Sequence, residues 1–111
     1  MRAGDIILIP LPQADGRIKN RPALLLKRMP PFGDWLVCGI SSQLQQAVPA
    51  FDEIVARGDP DFAASGLVAD SVIRIGFLAV VPSKEILGAI GAVAPDRHRR
   101  LLNHLSDFLR E

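Results

Sequence analysis

The sequence has few of the residues that build disulfide frameworks or metal sites. Cys38 is the single cysteine, which excludes an internal disulfide and a cysteine-rich zinc site. The two histidines, His98 and His104, lie six residues apart in one predicted helix, roughly 120° from each other around its axis, so they are not expected to converge. No histidine, cysteine and carboxylate group has the spacing of metal ligands. We therefore predict a protein without metal or cofactor.

The sequence also lacks an excess of one charge and a long hydrophobic run. Thirteen Lys and Arg against 12 Asp and Glu give a net charge of +1, so nucleic-acid binding would need a local cluster such as Arg17, Lys19, Arg21, Lys27 and Arg28. No apolar run is long enough to cross a bilayer, and the one near the N-terminus is short and broken by prolines, unlike a signal peptide. We expect a cytoplasmic protein that does not contact membranes.

Length and composition predict one domain over residues 1–111 that associates with a second copy. Hydrophobic residues make up 49% of the chain, and a domain this small has much surface to cover. Some apolar side chains must therefore stay exposed or lie in an interface. The simplest assembly is a two-fold homodimer.

The order of apolar and turn-forming segments predicts a mainly β fold. Strands are expected at residues 4–11, 22–29, 35–42, 51–56, 67–75 and 77–81. A bulge or tight bend at Gly76 would divide the last two. Asp15-Gly16 is the predicted turn of a loop at 12–20, and residues 57–66 form a second loop. Residues 43–47 suit a short helix or a loop, and the sequence leaves 83–93 open between helix and strand.

Residues 95–110 are predicted to form a helix. Pro95 suits the first helical position and Asp96 the positive end of the helix dipole. Its apolar stripe consists of Leu101, Leu102, Leu105, Phe108 and Leu109. We interpret the basic run 97–100 as a solvated face. The whole order of elements fits a small, strongly bent antiparallel barrel of five to seven strands with a C-terminal helix.

Arg21 is the centre of the functional prediction. Pro22 pushes the preceding residue into an extended conformation, so Arg21 points from the mouth of a rigid strand. A guanidinium held this way suits a phosphate. From the residues alone, an ordinary surface arginine is the more frequent role. Trp35 and Cys38 lie in an apolar run and are expected in the core, although a tryptophan there has the alternative of stacking on a base.

Four segments in order resemble the MazF/PemK toxins of type II toxin–antitoxin systems: residues 4–7 (GDII), 21–24 (RPAL), 38–43 (CGISSQ) and 66–74 (GLVADSVIR). The resemblance implies an SH3-like barrel, a homodimer, and metal-independent cleavage of single-stranded RNA by attack of a 2′-OH on the adjacent phosphate. It also implies an antitoxin whose disordered acidic and apolar tail wraps the dimer. DNA would be contacted only indirectly, through the antitoxin.

The same resemblance assigns catalysis to Arg21 and Ser41 and, in the PemK/Kid branch, to Arg74. Ser41 stands where threonine is more usual. Gly76 stands where that branch has an aspartate, and its histidine before the R-P motif is missing, so the division of work between the two arginines stays open. From the residues alone, Arg74 is equally a cross-strand partner of Asp70.

We predict that Arg17, Lys19, Ser42 and Gln43 bind the substrate. We expect the RNA sequence preference to depend on the loops at 12–20 and 57–66. Arginine is a poor base, so catalysis is expected to depend on charge stabilisation and substrate orientation. Two alternatives belong to other functional classes. One is a non-catalytic toxin of the CcdB type that binds DNA gyrase, and the other is an inactive barrel that binds RNA or the antitoxin.

Overall fold

The fold is described from a computed structural model, for residues 1–12 and 14–111. Within these residues, six strands, two helices and two 3-10 turns follow one another. The strands are β1 (Asp5–Pro12), β2 (Ile18–Met29), β3 (Asp34–Ser41), β4 (Glu53–Val55), β5 (Ser71–Val81) and β6 (Gly88–Ala92). The helices are α1 (Phe62–Ser65) and α2 (Pro95–Leu109), and the 3-10 turns span Leu44–Gln46 and Ser83–Glu85.

The six strands form one antiparallel sheet in the order β4-β5-β3-β2-β1-β6. The sheet curls into a half-barrel, and α2 follows as the C-terminal element, which confirms the predicted mainly β fold. No helix in the described residues is both long and apolar enough to span a membrane.

Each face of the curled sheet has its own apolar cluster. Alternate residues of the strands point to opposite faces, so neighbours in sequence belong to different clusters. The larger cluster lies between the sheet and α2 and includes Ile6, Leu24, Cys38, Ile73, Leu101 and Leu105. The smaller cluster consists of Ile7, Ile9, Ala23, Leu25, Trp35 and Val37. The buried positions of Trp35 and Cys38 confirm their expected packing.

β5 replaces the two strands predicted at 67–75 and 77–81, and residues 67–70 lie outside it. Its register with β3 runs from Arg74 opposite Gly39 directly to Leu78 opposite Cys38, so the predicted irregularity around Gly76 is present. The backbone N–H of Ile75, inside this bulge, donates to Asp52 Oδ1 at 3.0 Å. A side chain thus satisfies a group that the bulge removes from the strand ladder.

The loops also differ from the predicted pattern. β1 reaches Pro12 and β2 begins at Ile18, so the predicted loop 12–20 is shorter than expected, and its residue Gln13 lies outside the described part of the chain. The loop at 57–66 contains α1, and residues 83–93 resolve into a 3-10 turn and β6. At Gly91 of β6, a Cβ atom would lie 2.3 Å from the carbonyl oxygen of Ala64. Only glycine permits this close approach of α1 to β6.

α2 begins at Pro95, as predicted, and buries Leu101 and Leu105, whereas Phe108 and Leu109 near its end remain exposed. The interpretation of residues 97–100 as a solvated face is wrong for Arg97, which is only 7% exposed. Arg97 lies four residues before Leu101 and therefore on the same buried stripe.

The two histidines of α2 bind different backbone carbonyls. His98 contacts the carbonyl of Leu26 through Nε2 at 3.1 Å, and His104 contacts that of Phe51 through Nδ1 at 2.8 Å. Each imidazole ring thus contacts the backbone of a different segment of the chain.

Candidate functional site

The sheet register places Arg21, Ser41 and Arg74 on one face of three neighbouring strands. Gly39 of β3 lies opposite Ala23 of β2 and opposite Arg74 of β5. Paired residues share a face, and so do residues two apart on one strand. Arg21 is two residues from Ala23, and Ser41 is two residues from Gly39. Continuing the register by two residues on each strand sets Arg21 opposite Ser41.

These side chains line a cleft of about 480 Å³. Five predicted site residues contribute to it: Arg21, Ser41, Ser42, Gln43 and Arg74. The other lining residues are Leu11, Pro22, Gly39, Ile40, Gln46, Leu67, Val68, Ala69, Ser71 and Phe77. The structure thus brings the three predicted catalytic residues together around one space.

Two predicted substrate-binding residues lie outside this lining. Lys19 is exposed on β2, two residues before Arg21 and on the same face of the sheet. Arg17 precedes β2 in the β1–β2 turn, where its Nε lies 3.8 Å from Asp15 Oδ2. Both arginine and aspartate are largely exposed there, so this pair contributes little to stability.

The cleft is positively charged. Its described lining includes the guanidinium groups of Arg21 and Arg74 and no carboxylate. Asp70, the alternative partner for Arg74, accepts a hydrogen bond at 2.8 Å from the backbone N–H of Arg57. Within residues 1–12 and 14–111, no three His, Cys, Asp or Glu side chains form a group that fits a metal ion. The residues of the cleft fit an anionic ligand such as a phosphodiester.

Ser41 ends β3 with its hydroxyl group held in place. The backbone N–H of Gln43 donates to Ser41 Oγ at 3.0 Å, as in a serine turn. A hydroxyl that accepts one hydrogen bond still has its own proton to donate. Ser41 can therefore donate to an oxygen of a ligand in the cleft while the turn keeps its oxygen fixed.

Phe77 is a site residue that sequence analysis missed. The guanidinium carbon of Arg74 lies 5.0 Å from the centre of its ring, a cation–π distance. On the other strand, a Cβ atom at Gly39 would lie 2.8 Å from Phe77 Cδ1. Glycine at position 39 thus leaves the space that the ring occupies. The sequence contains only a weak signal for this contact, because Phe77 and Gly39 are far apart in the chain.

One rim of the cleft is formed by residues 67–69, which sequence analysis also missed. Arg57 donates from its guanidinium to the carbonyl of Val68 at 3.2 Å, and the hydroxyl of Ser71 donates to the carbonyl of Ala69 at 2.8 Å. These bonds fix the backbone of the rim at two points. The side chain of Val68 is nevertheless 90% exposed.

An ion network holds the chain that leads into this rim. Arg97 of α2 donates to Asp61 Oδ2 at 2.8 Å, to Glu53 Oε1 at 3.0 Å and to Asp59 Oδ2 at 3.0 Å. Hydrogen bonds from Arg97 lower the pKa of Asp61 below its ordinary value, although burial acts to raise it. Burial acts to lower the pKa of Arg97, but its hydrogen bonds to Asp61 and the neighbouring carboxylates raise it.

The fold and the cleft define a small half-barrel protein with an arginine-lined cleft on the sheet face opposite α2. Residues 2–109 match the model of the PemK-like, MazF-like toxins of type II toxin–antitoxin systems. The chain therefore belongs to this toxin family, and the family implies an antitoxin partner.

A search of solved structures found similarity to the Mycobacterium tuberculosis toxin MazF-mt6, with a TM-score of 0.69 and 21% sequence identity over 96% of each chain. This likeness establishes the fold. A search of curated protein sequences gave no match.

Proposed function

We propose that this toxin is a metal-independent endoribonuclease that cleaves single-stranded RNA in the cytoplasm. The observation that carries the proposal is the convergence of Arg21, Ser41 and Arg74 on a cleft without a described carboxylate. Two cations and a hydroxyl donor suit one phosphodiester, whose negative charge grows during the reaction. Membership of a toxin family supports the same activity.

In the proposed reaction, the 2′-oxygen of a ribose attacks the adjacent phosphorus. A new P–O2′ bond forms, the P–O5′ bond breaks, and the products end in a 2′,3′-cyclic phosphate and a 5′-hydroxyl. Arg21 and Arg74 neutralise the phosphorane, Ser41 donates to one of its oxygens, and one of the two guanidinium groups donates a hydrogen bond or a proton to the leaving oxygen. The described lining has no carboxylate or imidazole, so the 2′-proton passes to a base from solvent.

The remaining predicted residues bind the strand around the scissile phosphate. Ser42 and Gln43 follow Ser41 in the cleft wall and present a hydroxyl and an amide to the sugar and the base. Lys19 and Arg17 lie farther out, where exposed cations attract flanking phosphates. The 67–69 rim and the β1–β2 turn then contribute to sequence preference.

The test uses purified protein and a labelled single-stranded RNA in EDTA. Arg21→Ala should lower the cleavage rate by about 100- to 1000-fold, as removal of one transition-state donor does elsewhere. Arg99→Ala is the matched control, because Arg99 is exposed on α2, on the other side of the sheet. Ser41→Ala should reduce the rate and leave the unfolding temperature close to that of the unaltered protein.

Four outcomes would contradict the proposal. Equal cleavage by Arg21→Ala and the unaltered protein would remove the central residue. Cleavage of a strand with 2′-deoxy sugars throughout would exclude attack by the 2′-OH. Binding to DNA gyrase without any RNA cleavage would favour the CcdB-like alternative, and RNA binding without cleavage would favour an inactive barrel.

We further propose that the toxin is a homodimer formed through the exposed part of β5. β4 covers β5 only at residues 71–73, so the later residues of β5 have one strand edge that no described strand covers. Leu78 and Val80 are exposed there, and their partners in the register, Cys38 and Leu36, face the larger cluster. Leu78→Glu should shift the mass measured by light scattering from dimer to monomer.

The antitoxin is proposed to cover the cationic cleft with a disordered acidic and apolar tail. Such a segment complements the charges of Arg21 and Arg74 and orders on binding. If tail and RNA share the cleft, an acidic peptide from the antitoxin should displace labelled RNA, and Arg21→Ala should weaken both ligands.

A further inference from the structure

Phe77 is an aromatic side chain that lines the cleft and is 54% exposed. A ring that only completed a hydrophobic core would be covered by other side chains, as Trp35 is at 3% exposed. Phe77 instead exposes apolar surface to solvent and lies beside Arg74, a proposed catalytic cation. This combination fits a ligand that is anionic and carries flat rings.

The position of the ring is fixed by the sheet. A Cβ atom at Gly39 would lie 2.8 Å from Phe77 Cδ1, so the edge of the ring occupies the space that any other side chain at position 39 would need. The guanidinium of Arg74 lies over the ring, with 5.0 Å between its carbon and the ring centre. Gly39 and Arg74 face each other across β3 and β5, so both contacts come from one pair in the register. A ring held this way loses little conformational freedom when a ligand stacks on it.

We propose that Phe77 stacks on the base of a nucleotide next to the phosphate held by Arg21 and Arg74. The inference rests on the proposed ribonuclease function, whose substrate is a single strand with unstacked bases. Aromatic side chains bind such bases through their faces, with little dependence on base identity. Phosphate contacts from the arginines and a stacking contact from Phe77 would together fix the nucleotide within the cleft.

The alternative occupant of the Phe77 surface is a second copy of the chain, since Leu78 and Val80 next to it are exposed. The direction of the side chains separates these two surfaces. Phe77 covers Gly39 on the cleft face, whereas Leu78 and Val80 pair with residues that face the larger cluster. Phe77 thus belongs with Arg74 and the cleft.

The experiment compares binding of two uncleavable strands by fluorescence anisotropy. One is a 12-nucleotide 2′-O-methyl RNA of randomised sequence, and the other is an abasic strand of the same length and charge. Phe77→Leu keeps an apolar side chain without the ring. It should weaken binding of the RNA by about 5- to 150-fold, the range for loss of one stacked base, and leave binding of the abasic strand unchanged. Phe77→Trp should retain the affinity for RNA.

Phe32→Leu is the matched control, because Phe32 is 87% exposed in the β2–β3 turn and does not line the cleft. It should bind both strands like the unaltered protein. Arg21→Ala should weaken the binding of both strands, since the proposed contact of Arg21 is with phosphate. Loss of base-dependent affinity in Phe77→Leu alone supports the stacking role.

Each contrary outcome has its own reading. If the unaltered protein binds RNA and Phe77→Leu binds it equally well, the stacking inference fails and the nuclease proposal stands. If the unaltered protein binds neither strand, both fail. If Phe77→Leu weakens the binding of both strands equally, Phe77 acts through Arg74 and the stacking inference is overturned. If Phe77→Leu converts a dimer to a monomer in light scattering, Phe77 acts through the interface, and the stacking inference is likewise overturned.

Discussion

Arg97 of α2 donates from Nε to Asp61 Oδ2 at 2.8 Å, although 36 positions separate the two residues in the chain. Asp61 also accepts a hydrogen bond at 3.0 Å from the backbone N–H of Ala94, just before α2 begins. These two hydrogen bonds connect α2 to Asp61, the residue directly before α1. Since α1 leads into residues 67–69, the same contact anchors the rim of the cleft.

Replacing Arg97 should destabilise the fold strongly. Arg97→Ala leaves the carboxylates of Asp61 and Asp59 without this cation, whereas Glu53 keeps its ion pair with Arg100. Removal of one partner of a buried pair costs about 3–5 kcal/mol. Arg99→Ala, on the exposed face of the same helix, should change the free energy of unfolding by less than about 0.5 kcal/mol. Urea unfolding followed by circular dichroism measures both. Equal midpoints for the two variants would show that the network contributes little.

The lowered pKa of Asp61 predicts a loss of stability in acid. An unfolded aspartate has a pKa of about 3.9, and the folded value is lower because Arg97 hydrogen-bonds to it. The contribution is therefore complete above about pH 4 to 5 and declines as the pH falls through the folded pKa, because the unfolded state takes up the proton first. In urea unfolding, the difference in the free energy of unfolding between the unaltered protein and Asp61→Asn should become smaller below about pH 4. A difference that is constant down to pH 2 would contradict the assignment.

A methyl group at Gly91 should separate α1 from β6. The added Cβ would lie 2.3 Å from the carbonyl oxygen of Ala64, and backbone atoms cannot yield as a flexible side chain does. We expect Gly91→Ala to lower the unfolding temperature and to speed hydrogen exchange in residues 62–65. Gly58→Ala is the control, because its Cβ would meet no atom within 4 Å. Similar exchange in both variants would show that the close approach is not required.

Cys38 should be inert to thiol reagents in the folded protein. Burial, with a smaller effect from the charge of Asp52, raises its pKa to about 12, and the thiolate is the reactive form. A disulfide reagent at pH 8 should label Cys38 only as fast as the protein unfolds, and at once in guanidinium chloride. Rapid labelling under native conditions, at a rate independent of stability, would contradict the buried position of the thiol.

The rate of RNA cleavage should rise continuously with pH. The described residues of the cleft offer no carboxylate or imidazole to take the 2′-proton, so a solvent-derived base accepts it. Between about pH 6 and pH 9 the rate should increase roughly tenfold per unit, because hydroxide concentration does so. A bell-shaped profile in this range would indicate a side-chain acid and base, and with them a different set of catalytic residues.

Local patterns in the sequence were enough for the fold class, and the resemblance to a toxin family supplied most of the candidate site residues. Alternating apolar segments and turn residues predicted most strands, and Pro95 predicted the start of α2. Pro22 gave Arg21 its extended setting, and the four family segments led to Ser41 and Arg74. The strands, the start of α2 and the extended setting of Arg21 depend on neighbours in the chain, so they are visible without a structure.

Other features became visible only when the strands were placed side by side. The cleft exists because the register sets Arg74 and Ala23 on either side of Gly39, and the bulge in β5 carries Phe77 over that glycine. The burial of Arg97 depends on carboxylates from 36 to 44 positions away. Short-range periodicity contains no information on such distant pairings. Backbone propensity and spacing therefore determined the elements, whereas register and long-range charge pairing determined the site.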